Sequence, residues 1–110
     1  MRQGESWLAD LEPTKGSEQA GKRPVVIISG DTLNETLPIV IVVPITTHVK
    51  SYPTCILLSA NKTSGLSKES EAIPFQVRAV TKKRLTKRLG HITQEELRDI
   101  IKGLFITLTH

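Results

Sequence analysis

Pro38-Ile39-Val40-Ile41-Val42-Val43-Pro44-Ile45-Thr46-Thr47 contains the longest apolar run in the chain, and it decides the fold class. Its five consecutive β-branched residues, Ile39 to Val43, lose side-chain freedom in a helix and pack well on a pleated sheet. The run therefore predicts a strand. Pro44 cannot donate to a ladder, so an edge position or a bulge is expected there. Eight apolar residues, Pro38 to Ile45, are far too few to span a bilayer.

Working outward, Val25-Val26-Ile27-Ile28 is also β-branched and suits a strand buried on both faces. Gly30 to Thr36, between the two runs, reads as a turn. Glu5 to Leu11 predicts a first strand with Trp7 as its aromatic anchor, and Glu12 to Lys22 a long polar loop. Further strands are expected over Pro53–Ser59 and Ala72–Val80, the latter interrupted by Pro74, with a Ser-rich loop over Ala60–Ser70 between them. Thr93-Gln94-Glu95-Glu96 has the form of a capping box. Leu97, Ile100, Ile101, Leu104, Phe105 and Leu108 follow at three- and four-residue steps, which defines one apolar helix face. Gly103 within that helix should cost about 1 kcal/mol relative to alanine. Strands followed by one helix predict an α+β fold, mainly β, in which a small curled sheet or barrel is closed by a helix.

The 110 residues fit one domain, residues 1–110, and no repeat or low-complexity segment divides them. With 38% hydrophobic and 24% charged residues, the composition is that of a globular chain. A net charge of +4 is compatible with a polyanionic partner without requiring one. Cys55 is the only cysteine, which rules out an intrachain disulfide and a CxxC metal site. It lies in an apolar run and reads as a small buried hydrophobe. Met1-Arg2-Gln3-Gly4-Glu5 lacks the apolar core of a signal peptide, so a cytoplasmic location is expected.

Three features carry chemistry. The loop Pro13 to Lys22 leads into Arg23, at the start of a buried strand. Its glycine spacing is not that of a P-loop. An arginine aimed by a rigid strand is well suited to grip phosphate, and pairing with Glu18 on the surface is the alternative. Thr46 and His48 end the long apolar run; two residues apart, they share a face if the strand persists. The stretch from Arg78 to Arg88 holds six of the fifteen basic residues and no acid. It suits a phosphate backbone and equally a solvated face. Aromatic platforms are scarce, with only Trp7, Tyr52, Phe75 and Phe105.

Gly4 to Pro24, above all Gly16-Ser17-Glu18-Gln19-Ala20-Gly21-Lys22-Arg23-Pro24, resembles the opening signature of the MazF/PemK toxin endoribonucleases of type II toxin–antitoxin systems. Val43-Pro44-Ile45-Thr46-Thr47 resembles their second signature. Gln76-Val77-Arg78-Ala79-Val80, followed by Lys83-Arg84-Leu85, resembles their third. The resemblance covers nearly the whole chain in order. It implies an SH3-like or CcdB-like barrel of about five to seven strands with a C-terminal amphipathic helix, normally a homodimer. It implies cleavage of single-stranded RNA with neither metal nor cofactor, inhibition of translation, and neutralisation by a cognate antitoxin whose peptide lies across the RNA groove. The family's catalytic arginine and threonine fall on Arg23 and Thr46, and its loop acid on Glu18. The RNA contacts expected with them are Lys15, Ser17, Gln19, Thr47, His48, Gln76, Arg78, Lys82 and Lys83. Ser6, and Pro74-Phe75 before Gln76, depart from the family pattern; the second departure bears on sequence preference more than on activity.

The chemistry so implied is attack of the RNA 2′-hydroxyl on the adjacent phosphorus, giving a 2′,3′-cyclic phosphate and a 5′-hydroxyl. Donors aimed at the growing charge supply most of the rate. Arginine is a poor base at neutral pH, so Glu18 or His48 is the candidate proton acceptor. Two other readings stand beside this one: a non-catalytic, topoisomerase-poisoning toxin on the same fold, and a barrel that binds RNA without cutting it.

Overall fold

The computed structural model describes residues 1–11 and 22–110. The described strands are β1 (Glu5–Asp10), β2 (Lys22–Ile27), β3 (Ile39–Thr46), β4 (Ile56–Leu58), β5 (Ser70–Ala72), β6 (Arg78–Thr81) and β7 (Leu85–His91). A short helix α1 (Asp31–Thr36) joins β2 to β3, and α2 (Gln94–Thr109) ends the chain. The strand order is β4-β5-β3-β2-β1-β7, with β6 also paired to β3. No pairing joins β4 to β7. The extents, 34 × 32 × 30 Å, are nearly equal, so the sheet curls towards a barrel without closing.

The two β-branched runs form the centre, because both faces of β2 and β3 are covered. Val26, Ile28, Val43 and Ile45 pack with Leu97 and Ile100 of α2. Their alternates Val25, Ile27, Val40 and Val42 pack with Ala9, Leu11, Val80 and Leu85, against which Trp7 also rests. Each such side chain contributes about 1.5–3 kcal/mol when taken from water.

Pro44 is neither at an edge nor at a bulge; it is buried in the central strand. Along one edge of β3, β6 pairs with Ile39–Val42 and β5 with Ile45–Thr46. Pro44 falls in the gap between them. Its carbonyl accepts from Ile73 N at 3.0 Å on that edge, and the missing N–H faces the same gap, where no ladder needs it.

Other expectations shift for identifiable reasons. The segment Gly30–Thr36 contains a helix rather than a turn alone. Asn34 is buried, its Nδ2 donates to Ser29 O at 2.9 Å, and its backbone N–H donates to Gly30 O at 3.0 Å. Six residues are too few to show a helical period. The strand expected over Ala72–Val80 divides into β5 and β6, because Pro74 opens a 3-10 turn over Pro74–Gln76. The strand expected over Pro53–Ser59 shrinks to β4. The basic stretch runs into β7, which pairs with β1 across two register shifts. Ser6 is fully buried there, its Oγ donating to Ser64 O at 2.6 Å.

The capping box is present in α2: Glu96 N donates to Thr93 Oγ1 at 3.0 Å, and Thr93 N donates to Glu96 Oε1 at 2.9 Å. The predicted stripe is only partly used. Leu97 and Ile100 are buried, whereas Phe105 and Leu108 are 64% and 74% exposed.

Gly103 sits where α2 touches the segment before β4. A Cβ there would lie 2.6 Å from Thr54 O and 3.2 Å from Pro74 Cγ. Gly103→Ala should therefore lower stability by about 1–3 kcal/mol, despite alanine's better helix propensity. A denaturant midpoint at or above that of the wild type would contradict this contact. Burial pushes the Glu5 carboxyl up, but hydrogen bonds from Trp7, Arg2 N and Arg88, with the Arg88 charge, outweigh it and hold the group below its ordinary 4.5. A carboxyl lowered on folding stabilises the protein above its unfolded pKa, and that contribution is lost as pH falls through the folded value. Glu5→Gln should thus melt lower than wild type at pH 7, with the gap narrowing below pH 4.5.

Candidate active site

The register of the central strands builds the site. Val25, Val26 and Ile27 lie opposite Pro44, Val43 and Val42. Continued for two residues, this register places Arg23 opposite Thr46. On the far side of β3, Thr46 pairs with Glu71 of β5. Residues opposed in antiparallel strands project to the same face. Arg23, Thr46 and Glu71 therefore form a row across β2, β3 and β5, with about 4.8 Å between strands.

Two clefts flank this row, and Arg23, Thr46 and His48 line both. The first, about 320 Å³, adds Lys22, Pro24 and Thr47. The second, about 270 Å³, adds Tyr52, Cys55, Glu71, Phe75 and Gln76 among others. Together they make one groove over the end of the sheet. Arg23 is half-buried at its centre. Extended main chain, rather than a loop, aims it, and opposite it on β1 stands Ala9, which leaves room for the guanidinium.

β3 ends at Thr46, so Thr46 and His48 do not share a face through strand alternation. They are brought together by a local turn instead, in which His48 N donates to Thr46 Oγ1 at 3.1 Å. That bond occupies an acceptor site of the hydroxyl and leaves its hydrogen for a ligand oxygen.

Glu71 is 3% exposed, and sequence reasoning passed over it. Its Oε1 accepts from Lys50 N at 3.1 Å and its Oε2 from Ser51 N at 3.0 Å. These bonds pin the loop after β3, in which Ser51 and Thr54 take the left-handed conformation, with φ of 56° and 74°. Nothing short of the β3–β5 register reveals it: in the sequence it falls between a polar loop and an apolar strand. Cys55 is not fully buried; it lines the same cleft. Burial pushes its thiol up, and the Glu71 charge adds to the rise.

Of the residues singled out in the sequence, Arg23, Thr46, Thr47, His48 and Gln76 come together in this groove. Glu18, Lys15, Ser17 and Gln19 lie outside the described residues. Arg78, Lys82 and Lys83 line neither cleft. Arg78 stands opposite Val42, and Lys82 N donates to Pro38 O at the far end of β3. Eight residues of strand, about 26 Å, separate Pro38 from Thr46. The basic stretch does not form one face: Arg88 Nε pairs with Glu5 Oε2 at 3.0 Å, and Arg84 reaches Asp10 O.

This is a small, curled, antiparallel β domain with a polar groove centred on an opposed arginine and threonine, a class defined by fold and site together. Residues 2–108 match the family model described as PemK-like, MazF-like toxin of type II toxin–antitoxin system, and the chain belongs to that family. It is 37% identical to Endoribonuclease MazF9 of Mycobacterium tuberculosis, over 98% of this chain and 96% of that protein. MazF from Deinococcus radiodurans superposes with a TM-score of 0.83 at 21% identity, covering 100% of this chain and 97% of that one. An endoribonuclease in complex with its cognate antitoxin, from a mycobacterial species, superposes with a TM-score of 0.82 at 21% identity, over 98% and 94% of the two chains. Among the described residues, no helix is long and apolar enough to cross a membrane.

Proposed function

We propose that this chain, as a single domain over residues 1–110, is the toxin of a type II toxin–antitoxin pair and cleaves single-stranded RNA in the cytoplasm without a metal or cofactor. The observation that carries the reading is the opposition of Arg23 and Thr46 in one groove, with the Thr46 hydroxyl oriented by His48 N. Family membership and the likeness to Endoribonuclease MazF9 support it.

In this reading a phosphodiester lies between Arg23 and Thr46. The Arg23 guanidinium holds a non-bridging oxygen through paired N–H bonds, and its charge offsets the negative charge that grows there. The Thr46 hydroxyl donates a second bond to the phosphate. The adjacent 2′-oxygen attacks phosphorus and the 5′-oxygen leaves, giving a 2′,3′-cyclic phosphate and a 5′-hydroxyl. DNA lacks the attacking group and is refused. His48 lines both clefts, and histidine is the side-chain type suited to exchanging protons near neutrality. It accepts the 2′-hydroxyl proton and passes a proton to the leaving 5′-oxygen, so the 5′-hydroxyl forms with no net change in protons. Glu18 is the acid that the family resemblance adds to the set, with Lys15, Ser17 and Gln19 close to it in sequence. Thr47 and Gln76 contact the RNA within the groove, and Arg78, Lys82 and Lys83 serve only a longer RNA that runs beyond it.

The partners follow. A cognate antitoxin covers the groove; a mycobacterial endoribonuclease of the same fold is itself in complex with its cognate antitoxin. The exposed Ile101, Phe105 and Leu108 on α2 support a homodimer that shields them.

A long unstructured RNA incubated with the protein in excess EDTA should be cut at discrete sites, leaving 5′-hydroxyl ends. Arg23→Ala should lower the rate about a hundredfold or more while RNA still binds. His48→Gln should lower the cleavage rate about a hundredfold while RNA still binds. Uncut RNA in several diverse sequences would favour the topoisomerase-poisoning or RNA-binding alternatives, and an unchanged rate in His48→Gln would move the proton acceptor to Glu18.

A further inference from the structure

The groove changes character on either side of Thr46. Among the described residues, the first cleft carries Lys22, Arg23 and His48 and no carboxylate. The second has an aromatic lip and an acidic floor. Tyr52 and Phe75 stand on the lip with ring centroids 6.2 Å apart and planes tilted by 51°. Both are exposed, although the whole chain has only four aromatic residues. Glu71 lies below them, nearly inaccessible. Each of its oxygens accepts one backbone N–H, from Lys50 and Ser51. A carboxylate oxygen takes two such bonds, so one acceptor site per oxygen is left. Among the described residues, no lysine or arginine side chain lies within ion-pair distance of it. Lys50, at the rim, gives it a backbone N–H rather than its ammonium.

A phosphate is repelled by such a carboxylate, whereas a nucleobase is not. A base is neutral, offers a face to the two rings, and carries N–H groups on its edge. We propose that the second cleft is a nucleobase subsite, which takes the unpaired base beside the phosphodiester held by Arg23 and Thr46 and selects an amino-bearing base over uracil. The exocyclic amino group of cytosine, adenine or guanine donates to a vacant acceptor site of Glu71. Uracil presents one N–H flanked by two carbonyl oxygens, which the carboxylate repels. Tyr52 and Phe75 supply the stacking surface, and Glu71 also anchors the loop that carries Tyr52.

This subsite rests on the endoribonuclease reading, and the test separates the two. Wild type, Tyr52→Ala, Phe75→Ala and Glu71→Gln are compared on an RNA pool randomised at the two nucleotides flanking the cut, and on a substrate abasic at the selected position. Wild type should cut uracil-bearing members about tenfold more slowly at one flanking position. Glu71→Gln should abolish that bias, because an amide both donates and accepts. Each aromatic variant should raise KM about tenfold on the normal RNA and match wild type on the abasic one. Equal cutting of all four bases at both positions by wild type overturns the subsite and leaves the endoribonuclease reading intact. So does an aromatic variant as impaired on the abasic substrate as on the normal one. Wild type that cuts no RNA overturns both. Tyr52 and Phe75 are exposed, so their variants keep the test valid even if Glu71→Gln fails to fold.

Discussion

The antiparallel register between β2 and β3 is the constraint on which the rest depends. Arg23 and Thr46 are far apart in sequence, and neither is placed by a loop of its own. They face one another because Val25, Val26 and Ile27 are locked opposite Pro44, Val43 and Val42. That lock is hydrophobic. Both faces of the strand pair are covered, one by α2 and the strands around it, the other by β1, β6 and β7. A one-residue slip would exchange the two faces and rotate both site residues out of the groove. The burial that stabilises the sheet is thus the same burial that sets the distance between the two groups.

The groove's chemistry follows from where the sheet stops being covered. Along β2 the alternation runs from buried Ile27 and Val25 to half-buried Arg23 on the same face. Along β3 it runs from Val40 and Val42 to half-buried Thr46. The polar ends are continuations of apolar rows, and they inherit their aim from the core beneath. β5 adds Glu71 to the row and, through two backbone bonds, fixes the loop that walls one side. Among the described residues, charge is divided along the groove as a result, cationic over β2 and acidic under the β3–β4 loop.

Much of this was legible in the sequence. The β-branched runs at Val25–Ile28 and Ile39–Val43 announced the central strands, and Thr93 to Glu96 announced the start of α2. The family signatures marked Arg23 and Thr46. What escaped was whatever depends on pairing rather than on pattern. β7 was hidden because Lys87 and Arg88 break its alternation, and its partner β1 accommodates it by register shifts. The spread of Arg78, Lys82 and Lys83 away from Thr46 follows from β6 pairing with the opposite half of β3, which no spacing reveals. Glu71 was invisible for the same reason. The apolar stripe of α2 was read correctly as a stripe, but periodicity does not say how much of it the same chain covers: Ile101, Phe105 and Leu108 remain exposed.

Pro44 has one further consequence. Its nitrogen faces the gap between β6 and β5, and its side towards β2 is the one at which no hydrogen bond is exchanged. In a chain shifted by a single residue, that nitrogen would enter the β2–β3 ladder and leave a buried acceptor without a donor, a loss of about 1–3 kcal/mol. A run as repetitive as Ile39–Val43 offers many nearly equivalent pairings during folding. The proline makes the nearest wrong ones defective, and so acts as a proofreading mark for the alignment that brings Arg23 to Thr46.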